Sequence, residues 1–285
     1  MIRFNKLKGK FYNIIKQLEE NYDTASACIK RFVRLQKVVT VIKGPQYKRS
    51  NEMIEIDITY LCNLRCVNCN RSSAQAPSEE RMTVDQIEKF VNESINKGIR
   101  WKLISLLGGE PTLHPDILTI LSILLDFKEK YSPNMILQVE TNGTGDFVKN
   151  VLRKVPKGIT IEDTHKGLRD YRHTSFNVAP IDSIWYKLLD FCNGCSILKN
   201  CGMGLTAYGY YCCAIAGGID RIFGFDMGRK TLPEKNDLML EQVNKLCRLC
   251  GHFKIYKKDR RIILSSTWKM AYKEYEIKKP KLTLY

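Results

Sequence analysis

Three cysteines lie within eight residues in the run DITYLCNLRCVNCNRSS. Cys62, Cys66 and Cys69 directly follow an apolar, β-branched stretch that predicts a strand. The chain of 285 residues has 11 cysteines, an odd number, and most of them are clustered at short spacings. In a reducing compartment such clusters indicate metal or redox ligands and not disulfides. We predict a cytoplasmic protein, because no run approaches the roughly 20 apolar residues of a membrane span and the start lacks a signal-peptide core.

The cysteine triplet is suited to an iron–sulfur cluster with one open iron. A cubane cluster has four irons, and each normally takes one cysteine thiolate. Three thiolates therefore leave one iron free for a small-molecule chelate. A structural zinc site prefers four closed ligands, usually as two paired knuckles. The C-x3-C-x2-C spacing favours a cluster over a zinc or disulfide site.

Strand-like and helix-like segments alternate from residue 53 onwards. The predicted series, strand first, is MIEIDITYL, TVDQIEKFVNESINKG, WKLISLL, HPDILTILSILLDFKEKY, MILQVETNG, DFVKNVLRKV and GITIEDT, with SFNVAP as a possible fifth strand. Thr83 is the predicted N-cap of the first of these helices, and Gly98 is its C-terminal glycine. The alternation predicts parallel βαβ units in an α/β fold, and four or five units form only a partial, open barrel.

Four groups of polar or reactive residues follow the predicted strands. In folds of this kind, reactive side chains collect at the carboxyl ends of the strands. The groups are the cysteine triplet, Gly108-Gly109-Glu110-Pro111, Glu140-Thr141-Asn142-Gly143 and Glu162-Asp163-Thr164-His165-Lys166. We therefore expect them to meet at one edge of the barrel.

The triplet, together with the Gly-Gly-Glu-Pro segment, resembles the radical S-adenosylmethionine (radical SAM) superfamily. That resemblance implies a [4Fe–4S] cluster on Cys62, Cys66 and Cys69, whose open iron is chelated by S-adenosylmethionine, and reductive cleavage to a 5′-deoxyadenosyl radical. It also implies cofactor binding by residues of the next two strand ends, namely Gly108, Gly109, Glu110, Pro111, Thr141 and Asn142. The family usually has an aromatic residue just before the third cysteine, whereas this chain has Asn68.

A second cysteine group spans residues 192–250. The spacing Cys195-x17-Cys213, followed by the pair Cys247-x2-Cys250, resembles the shortened auxiliary-cluster module called a twitch domain. The resemblance implies an auxiliary [4Fe–4S] cluster on these four cysteines. Three alternatives stay open: zinc, to which C-x2-C pairs commonly bind; a SPASM-like module that begins Cys195-x5-Cys201; and replacement of a chosen ligand by Cys201 or Cys212.

These features predict a radical SAM oxidoreductase acting on a small polar substrate such as a sugar, a cyclitol or a nucleotide-linked sugar. A fully ligated auxiliary cluster would accept the electron that the substrate radical loses. His165, Lys166 and Glu162 are the candidate groups for taking the proton, since they follow the fourth strand. A ribosomal-peptide maturase and a redox-neutral epimerase are the alternatives. A reductant protein such as flavodoxin or ferredoxin is the expected partner.

Charge divides the chain into a neutral middle and two basic ends. The net charge is +16, and residues 1–50 contain 12 Lys and Arg against 3 Asp and Glu, while residues 251–285 contain 10 against 3. The middle is therefore balanced, so no nucleic-acid partner is expected. Solvated ends or weak contact with an anionic membrane surface would explain the charge. The predicted regions are a basic helical segment (1–50), the partial barrel (51–185), the auxiliary domain (186–252) and a basic tail (253–285).

Overall fold

A six-stranded sheet organises the computed structural model, which describes residue 26 and residues 29–165, 173–253 and 264–285. The strands are β1 (Met53–Thr59), β2 (Leu103–Gly108), β3 (Ile136–Thr141), β4 (Thr160–Asp163), β5 (Met203–Thr206) and β6 (Gly209–Tyr211). The α-helices that follow helical residues 29–34 are α1 (Lys37–Lys43), α2 (Val84–Asn96), α3 (Ile117–Tyr131), α4 (Asp146–Leu152), α5 (Ser196–Asn200), α6 (Ala214–Phe223), α7 (Leu240–Leu246) and α8 (Ser266–Ile277).

The strand order of the sheet is β4-β3-β2-β1-β5-β6. The first five strands are parallel to their neighbours, and β6 returns antiparallel to β5 through a tight hairpin. Consecutive strands β1 to β4 are joined by helices, as βαβ crossovers require. The predicted α/β class with a partial parallel barrel is confirmed.

The two faces of the sheet differ in polarity. Alternate residues of a strand point to opposite faces, and one face carries a fully buried apolar set that joins the core formed with α2 and α3: Ile54, Ile56, Ile58, Ile104, Leu106, Leu137 and Val139. The intervening positions carry Glu55, Asp57, Ser105, Gln138 and Glu140. Parallel strands are usually apolar on both faces, so the polar inner face marks the side on which the chain builds a site.

Helix α2 shows how local sequence sets an element. The Thr83 hydroxyl accepts a hydrogen bond from the Gln86 backbone N–H at 3.2 Å, and the Gln86 side chain accepts one from the Thr83 N–H at 3.0 Å. This capping box fixes the start of the helix. Gly98 follows the helix with φ of 58°, as glycine allows. The predicted cap and terminal glycine are both confirmed.

The predicted fifth strand differs from the structure, and most of the predicted N-terminal helical segment lies outside the described residues. The possible strand SFNVAP is wrong, because residues 175–179 are not in a strand and instead bond to the C-terminal part of the chain, for example through Ala179 N–H to Ser265 Oγ at 2.9 Å. The strand that follows β4 is β5, which pairs with β1. Helical residues 29–34 and helix α1 lie within the predicted N-terminal segment, most of which falls outside the described residues.

The region predicted as an auxiliary domain shares the central sheet. Strands β5 and β6 belong to residues 186–252, yet β5 is hydrogen-bonded to β1 along Ile54–Met203 to Asp57–Thr206. The predicted domain boundaries stay a prediction. Within the described ranges, no helix combines the length and the apolar character needed to cross a membrane.

Candidate active site

The cysteine triplet opens into a cavity of about 250 Å³ at the carboxyl ends of the strands. We call this the triplet cavity. Cys62, Cys66 and Cys69 are half-buried in its wall. The other lining residues come from β1 to β3 and from the segments near the second cysteine group: Glu55, Leu64, Asn70, Arg71, Ser73, Leu107, Gly108, Gly109, Glu140, Thr141, Asn142, His173, Ile197, Cys201 and Ile215. The structure therefore brings three of the four predicted strand-end groups to one cavity.

Two glycines hold the end of β2 close to the loop that carries the triplet. Gly108 has φ of 136°, and a Cβ there would collide with the carbonyl oxygen of Thr59. A Cβ on Gly109 would collide with the carbonyl oxygen of Leu61, the residue before the first cysteine. The Gly109 N–H donates to the Thr59 carbonyl at 2.7 Å. Glycine is needed here because the two backbones touch.

Glu110 is a buried acceptor that joins the ends of β2 and β3. Its Oε1 accepts hydrogen bonds from the hydroxyls of Thr112 at 2.7 Å and Thr141 at 2.8 Å, and its Oε2 accepts one from the Asn142 N–H at 2.8 Å. Neither Glu110 nor Pro111 lines the triplet cavity, whereas Gly108, Gly109, Thr141 and Asn142 do. The carboxylate of Glu110 thus positions the residues that face the cavity.

A buried ionic cluster forms the side of the cavity towards the sheet. Arg71 donates to Glu55 Oε2 at 2.6 Å and to Asp57 Oδ1 at 3.2 Å. Burial raises the pKa of Asp57 to about 6, although the Arg71 charge opposes the shift. Burial alone would lower the pKa of Arg71, but Asp57 and Glu55 outweigh it and hold that pKa above its usual value. Sequence reasoning missed these residues, because acidic side chains inside an otherwise apolar strand were the only signal.

Asn68 is absent from the lining of the triplet cavity. It is buried and has φ of 56°, in the left-handed region that asparagine tolerates better than aromatic residues do. Its side-chain amide donates to the His173 carbonyl at 3.3 Å and to Ser175 Oγ at 3.2 Å. The residue that departs from the usual family pattern therefore ties the triplet loop to the segment after residue 172.

Four cysteines of the second group line one pocket. We call this the four-cysteine pocket; its sulfur-bearing residues are Cys195, Cys213, Cys247 and Cys250, and all four are buried. Its other lining residues are mainly apolar: Ile197, Leu198, Ile215, Ala216, Ile219, Leu246, His252 and Phe253. The set chosen from the sequence is thus gathered in one place.

Helix ends position three of these four cysteines. Cys195 is the N-cap of α5, Cys213 is the N-cap of α6 and Cys247 is the C-cap of α7. A helix N-terminus favours negative charge, and thus a thiolate. Burial raises the pKa of Cys247 well above that of a free thiol. A metal cluster that takes up the sulfur as thiolate therefore displaces a proton. In the described part of the chain, no three His, Cys, Asp or Glu side chains are placed so that they could together hold one metal ion.

Cys201 and Cys212, the alternative ligands, lie elsewhere. Cys201 is the C-cap of α5 and lines the triplet cavity, not the four-cysteine pocket. Burial, with a smaller effect of the neighbouring Glu55, raises its pKa to about 12. Cys212 is fully buried, and its N–H donates to the Gln242 side chain at 2.8 Å. It is absent from the linings of both cavities.

The predicted proton acceptors are not in the cavity wall. His165 is exposed, and its ring lies 3.2 Å from Asp163, while Glu162 is exposed on β4. Lys166 falls outside the described residues. His173 does line the triplet cavity and was missed, because it follows no predicted strand. The assignment of His165, Lys166 and Glu162 as catalytic groups stays a prediction.

Comparison with known proteins identifies the domain. A model of the radical SAM superfamily matches residues 56–174, which include the triplet and the ends of β2 and β3. This chain carries a radical SAM domain. The predicted resemblance and the predicted cofactors of that family, a [4Fe–4S] cluster and S-adenosylmethionine, are confirmed. Enzymes of this superfamily draw electrons from reductants and act on small molecules.

Curated relatives of the radical SAM domain carry the name GTP 3′,8-cyclase. A GTP 3′,8-cyclase of Sulfurimonas denitrificans is 28% identical over 156 residues, which cover 54% of this chain and 42% of the relative. A probable GTP 3′,8-cyclase of Pyrococcus horikoshii is 36% identical over 96 residues, covering 33% and 28%. The chain thus spans less than half the length of these curated relatives. The crystal structure of BtrN with AdoMet and 2-DOIA matches at 14% identity with a TM-score of 0.44, covering 76% of this chain and 99% of that one.

Proposed function

We propose that this protein is a radical SAM oxidoreductase that removes hydrogen from a small polar substrate and passes one electron to an auxiliary cluster. Cys62, Cys66 and Cys69 would hold the cluster that binds S-adenosylmethionine. Cys195, Cys213, Cys247 and Cys250 would hold the auxiliary cluster. When bound, these groups supply a 5′-deoxyadenosyl radical and a one-electron acceptor.

The donor sets support this division of roles. The triplet cavity offers three thiols beside open polar space, so an iron held there has a free position for a chelating ligand. Gly108, Gly109, Thr141 and Asn142 border the same space. The four-cysteine pocket offers four buried thiols in apolar surroundings and no comparable polar space. A cluster held there would have all its irons ligated by protein.

A shared wall between the two sites carries the proposal. Ile197 of α5 and Ile215 of α6 line both the triplet cavity and the four-cysteine pocket. Each follows an auxiliary cysteine by two residues, Cys195 and Cys213 respectively. The two sites therefore share part of one wall, and an electron lost in the triplet cavity would have a short route to the pocket. Such closeness is of little use to a purely structural metal site.

Oxidation of an alcohol to a ketone needs a proton acceptor as well as an electron acceptor. A hydrogen atom leaves the substrate carbon first, and the resulting radical then loses one proton and one electron. His173 lies in the cavity wall and is our candidate to accept the proton. His165 and Glu162 would act only if the substrate extended beyond the described lining, towards the end of β4.

The double variant Cys247→Ala/Cys250→Ala tests the electron-accepting role. Its triplet is intact, so it should still form 5′-deoxyadenosine with dithionite and still transfer deuterium from labelled substrate. It should not release oxidised product, because the electron has no acceptor. Cys192→Ala is the matched control, since Cys192 lies in neither lining and should keep the parental product yield. Product formation by the double variant at the parental rate would refute the proposal.

Cys201 supports a second candidate, a redox-neutral reaction. Its thiol lies in the triplet cavity, and burial keeps it protonated. A thiol there can return a hydrogen atom to a substrate radical, and the sulfur radical left behind takes one electron and one proton through the reductant. The same experiment separates the candidates, because an epimerase keeps making product without the auxiliary cluster. A peptide maturase is less favoured, since a cavity of about 250 Å³ suits a small ligand.

A further inference from the structure

Helix α1 turns its apolar side chains towards solvent. Val38, Val41 and Ile42 lie at positions i, i+3 and i+4, and therefore on one side of the helix. They are 64%, 76% and 75% exposed. On the other side, Thr40 is buried, and its hydroxyl accepts a hydrogen bond from the Asn193 side chain. A surface helix ordinarily buries its apolar side, so this reversed arrangement indicates an interaction surface.

The helical residues before α1 extend this exposed apolar surface. Ile29, Phe32 and Val33 repeat the i, i+3, i+4 spacing within helical residues 29–34, and all three are exposed. Leu188 is exposed on the adjacent segment, which bridges to the residue just before α1. We call the following seven residues the N-terminal apolar face: Ile29, Phe32, Val33, Val38, Val41, Ile42 and Leu188. Exposed apolar residues gathered in this way mark a site of interaction with a protein or a membrane.

The N-terminal apolar face is fixed to the rest of the fold. Leu35, which lies between the two helical stretches, is buried, and its carbonyl accepts a hydrogen bond from the Asp190 N–H at 2.8 Å. After α1, the Gln46 N–H donates to the Asn193 side chain at 2.9 Å, and the Tyr47 N–H donates to the Asn193 carbonyl at 3.0 Å. The exposed side chains are therefore presented by an anchored segment.

The charges along this segment have one sign. Residues 24–51 contain seven Lys and Arg and no Asp or Glu. Lys30, Lys37 and Lys43 are exposed, and the last two are the first and last residues of α1. Lys187, beside Leu188 in sequence, is exposed as well. Among the described residues, no ion pair involves any of these four lysines. Their charges are thus available to an anionic partner.

We propose that the N-terminal apolar face docks this protein on a membrane surface rich in anionic lipid. The apolar side chains would enter the headgroup region, and the lysines would pair with lipid phosphates, as in amphipathic helices that lie in the plane of a membrane. Lysine suits this role, because its apolar stem packs beside apolar groups while its charge reaches the headgroups. The inference is independent of the proposed reaction, since α1 and residues 29–34 line neither cysteine site.

Two other occupants match the charge of the face less well. In a twofold dimer the same surface meets itself, so the lysines of one copy would repel those of the other. The preceding residues 1–28 contain five Lys and Arg against three Asp and Glu, so their net charge has the same sign as the face. An anionic membrane surface offers opposite charge together with an apolar layer.

Sedimentation with lipid vesicles tests the docking. The anaerobically reconstituted full chain is mixed with vesicles of phosphatidylcholine, either alone or with about 30% phosphatidylglycerol, and the bound fraction is measured against lipid concentration. We expect at least tenfold tighter binding to the anionic vesicles, and at least a tenfold loss of that binding when ionic strength rises from about 0.1 to about 0.5 M. Equal affinity for both kinds of vesicle, or binding to neither, would overturn the proposal.

Serine substitutions locate the apolar contact. Val41→Ser/Ile42→Ser should weaken binding to the anionic vesicles about tenfold, because less apolar surface enters the headgroup region. The matched control, Phe147→Ser/Ile277→Ser, changes exposed side chains of α4 and α8 and should bind like the parent. Circular dichroism and iron content should match the parent in both variants, since all four side chains are exposed. Equal binding by the two variants, or a parental dimer that Val41→Ser/Ile42→Ser converts to monomer, would refute membrane docking by this face.

Charge-neutralising substitutions test the lysines separately. Lys37→Gln/Lys43→Gln should lower affinity for the anionic vesicles about tenfold at low salt and much less at high salt. Lys130→Gln/Lys149→Gln removes the same charge from exposed positions of α3 and α4 and should keep most of the parental affinity. Equal losses would mean that the vesicles respond only to net charge, and the assignment would fail. Cleavage of S-adenosylmethionine, measured in parallel, should be unchanged in every variant, so a failure of the proposed function would appear in that assay and not in vesicle binding.

Discussion

The two cysteine sites of this protein differ in what surrounds their sulfur atoms. The triplet cavity has half-buried cysteines, polar walls and room for a small molecule. The four-cysteine pocket has buried cysteines and mainly apolar walls. An iron with a missing protein ligand is useful only where a substrate or cofactor can reach it. The contrast in burial and polarity matches the proposed roles, in which the triplet leaves one iron open and the four-cysteine pocket ligates every iron.

Their origins in the chain differ as well. The triplet comes from one loop after β1. The four-cysteine pocket collects cysteines that are up to 55 residues apart in sequence, three of them at helix ends. A single loop can keep its spacing when packing changes. A site assembled from several elements depends on those elements being packed correctly. We therefore expect the two sites to respond differently to mutation.

Loss of the triplet should have the largest effect. Cys62→Ala/Cys66→Ala/Cys69→Ala should lower iron content from about eight to about four per chain, because one of two cubanes is lost. It should also abolish cleavage of S-adenosylmethionine. Iron and sulfide assays with chromatography of 5′-deoxyadenosine check both results. Zinc in place of the remaining four irons would show that the four-cysteine pocket is not an iron–sulfur site.

A matched pair at the ends of α5 sharpens the distinction between the sites. Cys195→Ala should lose or destabilise the auxiliary cluster, since Cys195 lines the four-cysteine pocket. Cys201→Ala should keep about eight irons, since Cys201 lines the triplet cavity instead. Iron content and electron paramagnetic resonance of the reduced proteins distinguish the two variants. A Cys201→Ala protein with only about four irons would mean that Cys201 is a ligand.

Replacing Glu110 should destabilise the ends of β2 and β3 beside the triplet cavity without altering the cysteines. Glu110→Gln exchanges one of the accepting oxygens for a donor, so buried donors from Thr112 and β3 lose their partner. We expect the free energy of unfolding to fall by roughly 1–3 kcal/mol. Urea denaturation measures the change, and exposed Glu129→Gln should stay within about 0.5 kcal/mol of the parent. Equal stabilities for the two variants would mean that Glu110 does not hold the strand ends together.

The smallest expected effect is a pH dependence at His114, next to the Gly-Gly-Glu-Pro loop. Its ring donates through Nε2 to the Met82 carbonyl at 2.8 Å and accepts at Nδ1 from the Asp116 N–H at 3.1 Å. Burial lowers the pKa of His114 below its ordinary value of about 6.5. The unfolded chain therefore binds more protons below that pH, and stability should fall as pH falls through and below about 6.5.

Urea denaturation between pH 5 and 8 measures this dependence. His114→Gln removes the titrating group, so its stability should change less with pH than that of the parent in this window. Identical pH profiles would assign the dependence to other groups. A parallel loss of iron from the triplet at low pH would link His114 to the triplet cavity, because the turn Pro111–Leu113 joins His114 to the Gly-Gly-Glu-Pro segment.

Much of the barrel could be predicted from local sequence. The runs that form β1 to β4 are apolar at every second or nearly every position. Thr83 and Gln86, the residues of the capping box, mark the start of α2 in the sequence. The family also follows from the spacing of one loop. The predicted fifth strand failed because SFNVAP has strand-like composition but bonds to residues near 251 and 265, which its own sequence does not reveal.

The sequence by itself determined the features that depend on neighbours along the chain: the cysteine triplet, the βα alternation, the helix cap and the glycines after β2. Only the tertiary structure decided which distant residues meet. It placed Cys201 in the triplet cavity and Cys213 in the four-cysteine pocket, paired β5 with β1, and put Arg71 between Glu55 and Asp57. Backbone geometry fixes local spacing, whereas burial and charge pairing are settled only when the whole chain packs.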